Sequence, residues 1–344
     1  MTQEELSDES VSEVGRVLGC PYATELVRDL PGDAAFPYPS PDGKKIAFQW
    51  NRSGNWDIYV LEIEADRLLP LTDHPARDES PCFSPSGRAI AFTSTRNDSS
   101  NPVVGGDKAQ RDIFLVAAEG GKPVCIVANP ADDWYPRFAP DGRSLFFVSE
   151  DGGGEASSHV RRQAELYRLW FATGQIQRLT ANQVDDTAPC PDPGAKHLLF
   201  ARAAGDLFGI YQLNLTSLST TQLLSPKDLG VDEVGAPAIA AEGLLACVGR
   251  KGQNLDLYMF DLRSGRKQRL TRHPGVDQAP VFSAEGKALY FHSNRTGRFA
   301  IYRMDLSRPI TRAELIETLN QESQWEAGSE EWNPEVGNSV YGGD

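Results

Sequence analysis

Four aspartates, Asp78, Asp133, Asp186 and Asp277, each stand three residues ahead of a proline, and Asp33 and Asp232 lie close to the same place ahead of two more. Carboxylates at a fixed offset are the groups that would ligate calcium at the mouth of a channel. Calcium loops, however, space their oxygen ligands densely and alternately. A position repeated in this way is better suited to capping a loop or pairing with a recurring arginine, and Arg52, Arg96 and Arg295 recur. Calcium at Asp78, Asp133, Asp186 and Asp277 is the weaker alternative, and no cofactor is expected.

Of the five histidines, His74 and His273 occupy matching TDHP and TRHP segments and read as framework, while His197 starts an apolar strand pattern. His159 lies in a glycine-rich polar stretch, and His292 replaces the threonine of FTSTR in FHSNR. A transition-metal site would need His159, His292 and one framework histidine to converge, and no ligand spacing encodes that. No Gly-x-Ser-x-Gly elbow is present to supply a hydrolase nucleophile. The residues best placed to bind are Trp56, Arg96, Trp134, Tyr135, His159, Arg161, Arg162 and His292. The aromatics would stack on a ligand and the basic groups would give an anion-friendly edge. No catalytic residue is assigned.

These residues are positioned by a repeat, and looking for repetition first decides the architecture. Six segments align: FPYPSPDGKKIAF, SPCFSPSGRAIAF, YPRFAPDGRSLFF, APCPDPGAKHLLF, APAIAAEGLLACV and APVFSAEGKALYF. Their turn glycines, Gly43, Gly87, Gly142, Gly194, Gly243 and Gly286, are spaced 44, 55, 52, 49 and 43 residues apart. Proline is tolerated at the start of a strand, and glycine supplies the positive φ of the turn that follows. In the fullest copies an apolar strand, a polar loop, a third strand such as DIYVL and a fourth ending in Leu-Thr complete the unit. Four short strands bury their two faces by stacking against neighbouring units around an axis. The prediction is all-β: a six-bladed β-propeller of four-stranded antiparallel blades. The sixth unit lacks its fourth strand, so an N-terminal strand at about 25–30 is expected to complete the last blade and close the ring.

The repeat, in DHPARDESPCFSPSGRAIAF and TRHPGVDQAPVFSAEGKALYFHSNR, resembles that of the TolB-like family and of the propeller domains of tricorn and prolyl-oligopeptidase-type proteases. The resemblance covers about residues 25–308. It implies the propeller fold and, by analogy with TolB, docking of partners; it is poor evidence of function. The signal peptide and small α/β domain of TolB, and the hydrolase domain of the peptidases, have no counterpart in these residues.

Residues 1–24 read as an acidic extension, 25–308 as the propeller, and 309–344 as a short helix (about 311–320) with an acidic tail carrying Trp325 and Trp332. The net charge of −14 is concentrated at the ends, −5 in residues 1–15 and −7 in residues 311–344, leaving the body nearly neutral. No basic stripe for nucleic acid and no apolar stretch long enough for a membrane helix is visible. The acidic start, with no basic leader, and five scattered cysteines point to a reducing cytoplasm.

Two polar insertions, 97–111 and 150–164, follow the second strands of neighbouring blades and would lie on the same face as the loops between blades. Loops on a rigid scaffold carry function disproportionately. The expected function is therefore a non-catalytic propeller that binds a protein or peptide at this loop-rich channel mouth. The alternatives are a hydrolase or lyase with a ligand or metal site there, and a regulatory subunit of a separately encoded hydrolase.

Overall fold

The structure is a computed structural model that describes residues 23–27, 31–98, 110–150, 163–204 and 207–307. Among them, 24 strands form six sheets, each of four antiparallel strands. The innermost strands are Ala34–Pro39, Asp78–Phe83, Asp133–Phe138, Asp186–Pro191, Glu233–Ile239 and Asp277–Phe282. They open blades one to six and surround the propeller axis. One short helix, Pro226–Leu229, sits in the connection from blade four to blade five.

The ring closes as the missing strand requires. Ala23–Glu25 pairs antiparallel with Ala300–Asp305, in register Ala23 with Met304 and Glu25 with Tyr302. The closing strand lies just N-terminal of the 25–30 segment expected from the pattern. Residues 311–320 and both tail tryptophans lie outside the described residues.

Apolar side chains pack both within blades, as Phe92 on Phe114, and between them. Ala47, Ile58 and Val60 of blade one meet Phe83, Phe92 and Phe114 of blade two in one fully buried cluster. Phe48 and Trp50 of blade one pack with Tyr290 and Ile301 of blade six across the closing seam. Each aromatic ring buried there removes 150–250 Å² from water.

The Leu-Thr ending of the fourth strand has a specific task. The hydroxyls of Thr72, Thr180 and Thr271 accept the amide N–H of Ile58, Leu166 and Leu257 at 2.9, 3.0 and 2.9 Å. They donate in turn to the buried carboxylates of Asp57, Glu165 and Asp256. The first turn of each blade is equally regular. Gly43 adopts a φ of 69° with no atom near where a Cβ would stand, so its backbone conformation alone selects glycine. Blade four departs from the glycine alignment: its left-handed turn residue is Ala195, not Gly194. The Ala195 N–H reaches the Asp192 carbonyl at 2.9 Å, as Gly43 reaches Ser40 in blade one.

Candidate functional site

Each innermost strand carries the same irregularity immediately before its proline. Phe36, Ser80, Tyr135, Ala188, Ala236 and Ala279 all have positive φ, between 47° and 53°. At each of them the pairing with the second strand shifts register. Proline has no N–H to lose from the ladder, so it suits this bulge. A left-handed non-glycine residue is costly, by roughly 1–2 kcal/mol, and the surrounding blades hold six of them in a ring.

The side chains at this ring are unequal. Phe36 of blade one and Tyr135 of blade three bring their ring centroids within 5.8 Å. Blade two contributes the small Ser80 between them, and blades four, five and six contribute only alanine. One side of the channel is filled and the other left open. The opening is a cavity of about 290 Å³ running from this ring to the first turns of blades four to six, where Pro193, Ala241 and Ala284 border it. Its wall is apolar, built largely of prolines and alanines with Phe36, Phe282 and Val281. Arg137 is the single charged residue of the lining, beside the phenols of Tyr38 and Tyr135. A second cleft of about 530 Å³ shares Pro193, Ile239, Ala240 and Ala241 with it and adds Asp192, His197 and Arg263 between blades four and five.

Antiparallel strands put the first turns at the opposite end of the blades from the loops that follow the second strands. The cavity therefore occupies the half of the channel away from the loop-rich mouth on which the sequence reading placed binding. His159, Arg161 and Arg162 lie outside the described residues.

The other nominated residues separate. Tyr135 is in the cavity wall, and burial pushes its phenol up to about 12. His292 is 2% exposed, and its Nδ1 accepts the N–H of Phe36 at 3.2 Å. Burial drops His292 to about 3, so it stays neutral with its proton on Nε2. It is a buried link between blades six and one, packed against the rings of Phe36 and Phe299, rather than a surface ligand. Gln49 does the same for blades one and two, accepting the Ser80 N–H at 2.8 Å.

Trp134 lies under the Arg111 guanidinium at 4.7 Å, and Arg111 is itself paired with Asp132. Trp56, half-buried, offers its carbonyl to the Asp78 N–H at 2.8 Å. Arg96 holds both Asp78 oxygens, at 2.8 and 2.7 Å, and lies over the Phe92 and Phe114 rings. These contacts tie the Arg96 and Trp134 side chains, and the backbone of Trp56, to neighbouring segments.

Three members of the aspartate ring are held in ion pairs with recurring arginines. Asp78, Asp186 and Asp277 are each fully buried on Arg96, Arg202 and Arg295, at 2.7, 2.7 and 2.9 Å. Among the described residues, no group of three acidic, histidine or cysteine side chains is arranged to hold a metal ion. Asp33 is out of register by one residue: Ala34 takes the aspartate position, opposite the fully buried Trp50. Arg52 accordingly stacks over Trp50 at 5.2 Å instead of meeting a carboxylate, and Asp33 accepts from the Phe299 N–H at 2.9 Å. Asp133 keeps the position without a guanidinium. It accepts from Asn129 Nδ2 at 2.7 Å, and burial, reinforced by Asp112 and Asp132, pushes it up to about 7.

Sequence reasoning missed Arg137. The signal was in the alignment: the second residue after the left-handed position reads Tyr38, Cys82, Arg137, Cys190, Ala238 and Val281, a set with one cation in it.

Comparison with known proteins agrees with this architecture. A 112-residue stretch is 32% identical to the uncharacterized protein Atu1656 of Agrobacterium fabrum, covering 33% of this chain and 34% of that protein. The chain spans between 21% and 37% of the length of four curated relatives that it matches. In three dimensions it is similar to TolB from Acinetobacter baumannii, with a TM-score of 0.58 at 19% identity over 82% of this chain and 63% of that one. The putative TolB from Agrobacterium tumefaciens also gives a TM-score of 0.58, at 17% identity over 72% of this chain and 87% of that one. The family profile of the TolB beta propeller domain matches residues 21–102 and 230–331, together just over half of the sequence. With that match and six closed four-stranded blades, this chain belongs to the TolB beta propeller domain family.

Proposed function

We propose that the chain is a protein- or peptide-binding propeller whose recognition element is the axial cavity. The observation that carries this reading is the one-sided recess, filled by Phe36 and Tyr135 on one wall and opened by Ala188, Ala236 and Ala279 on the other. Prolines and alanines have almost no side-chain entropy to lose when a partner covers them, so such a wall binds at low ordering cost. The neighbouring cleft between blades four and five extends the recess outward, as an extended segment of chain would require.

Filling the cavity tests this. Ala236→Phe places in blade five the ring that Phe36 already carries at the same left-handed position, so the fold has a precedent for it. A displayed dodecapeptide library would be selected on the wild-type protein, and the selected peptides measured by fluorescence polarisation on both proteins. A loss of about tenfold or more, equivalent to roughly 1.4 kcal/mol, on filling the cavity is the expected result. Peptides that bind both proteins equally, or a selection that yields none, would overturn the reading.

A further inference from the structure

We propose that the axial cavity seats a carboxylate on Arg137, so that its ligand is a monoanion carried on an apolar body. This rests on the cavity being the recognition element. The guanidinium offers five N–H donors in a rigid fork. Within the protein, Arg137 Nη1 donates to the carbonyl of Pro136 at 2.8 Å and the group lies over the Tyr38 ring at 5.3 Å. No carboxylate of the described residues reaches it. Arg96, Arg202 and Arg295, the recurring arginines of the repeat, are each clamped on a buried aspartate. Arg137, like Arg52 over Trp50 and Arg168 over Trp170, lies over an aromatic ring instead, and of these three it alone lines the cavity.

Its position in the repeat strengthens the point. The other five blades close the same site with tyrosine, cysteine, alanine or valine, so the blade framework does not need a cation there. Arg137 is half-buried in this apolar wall, where a guanidinium without a counter-charge is less well solvated than in open water. An incoming carboxylate removes that penalty with two parallel charge-assisted hydrogen bonds. One cation in an otherwise neutral lining matches one negative charge; a phosphate dianion would ask for further donors. The apolar wall of Pro189, Pro237, Ala238 and Phe282 takes the rest of the ligand.

Two sources share this chemistry, a free small acid and the C-terminal carboxylate of a peptide. The test uses 4-phenylbutyrate with its amide, and library-selected peptides made as free acids and as C-terminal amides, on the full-length chain. Binding is read by saturation-transfer nuclear magnetic resonance for the small pair and by fluorescence polarisation for the peptides. The expected result is that at least one acid binds and its amide binds about tenfold or more weakly. Arg137→Gln should erase that preference, and Arg137→Lys should restore part of it, because a point charge lacks the fork. Melting of both variants within a few degrees of wild type would show that they fold. Which acid binds identifies the source.

Equal binding of acid and amide, or a preference that survives in Arg137→Gln, overturns the carboxylate assignment while the Ala236→Phe result still stands. If neither acid nor amide of either pair binds, the assignment falls too. Should Arg137→Gln fail to fold, the acid-against-amide comparison on the wild-type protein decides alone.

Discussion

Phe36 and Tyr135 belong to blades one and three, two positions apart around the ring, yet their ring centroids lie 5.8 Å apart in the central channel. They meet because both residues take the left-handed conformation and blade two offers only Ser80 between them. Opening this contact should widen the cavity toward blades one to three. Phe36→Ala and Tyr135→Ala reproduce the residue found natively at Ala188, Ala236 and Ala279, so the backbone tolerates them. Each is expected to cost about 1–3 kcal/mol, less than truncation in a closed core because the site already borders open space. Chemical denaturation measures this; a loss above about 5 kcal/mol would show that the pair is structural throughout.

His292 is replaceable by the residue that does its work elsewhere. Gln49 accepts the Ser80 N–H one blade away, so His292→Gln should retain the acceptor for the Phe36 N–H. His292→Leu leaves that N–H unpaired, at about 1–3 kcal/mol. Comparing the two melts checks the assignment, and equal melts would refute it.

The Asp78–Arg96 pair is buried on the carboxylate side. Removing the cation alone by Arg96→Ala strands Asp78 and should cost about 3–5 kcal/mol. The double replacement Asp78→Ala with Arg96→Met should be milder, since blade one folds with Ala34 at the aspartate position. A double replacement at least as harmful as Arg96→Ala would sink this account.

Asp133 makes stability depend on pH. Its folded value of about 7 lies above the ordinary carboxylate value of about 3.9. The neutral form is favoured on folding, so its stabilising effect is complete below pH 4 and is lost as pH rises through 7. Asp57 and Asp256, raised to about 6 and about 7 chiefly by burial, act in the same direction. Asp133→Asn should therefore raise the melting temperature by a few degrees at pH 8 and leave it nearly unchanged at pH 4.5. Melting across that range checks the sign.

The blade count, the prolines, five of the six turn glycines and the need for a closing strand were legible because each is fixed by local chemistry: a missing N–H, a required positive φ, an unpaired edge. The left-handed ring was not. Nothing in Phe or Tyr advertises a positive φ, and neighbouring blades impose it. Asp33 misled because a one-residue offset in the sequence is a change of side in a strand, and only Trp50 opposite Ala34 reveals which residue truly takes the position. The cavity was invisible because its shape is a difference between blades, large at Phe36 and Tyr135 and small at three alanines. A repeat is read through its similarities. Arg137 escaped for the same reason.

The pairing of Ala23 with Met304 means that the first of the described strands to be made is the last to find its partner. At synthesis rates of about 5–20 residues per second, the ribosome takes roughly 15–60 s to produce the intervening chain. For that interval five blades can assemble while the sixth stays an open edge and its outermost strand waits upstream of the first blade. At three residues the waiting strand is too short to recruit a foreign edge. Completion of the ring is thus timed by the arrival of the final blade, so the finished channel and its cavity come into being only after that blade has emerged.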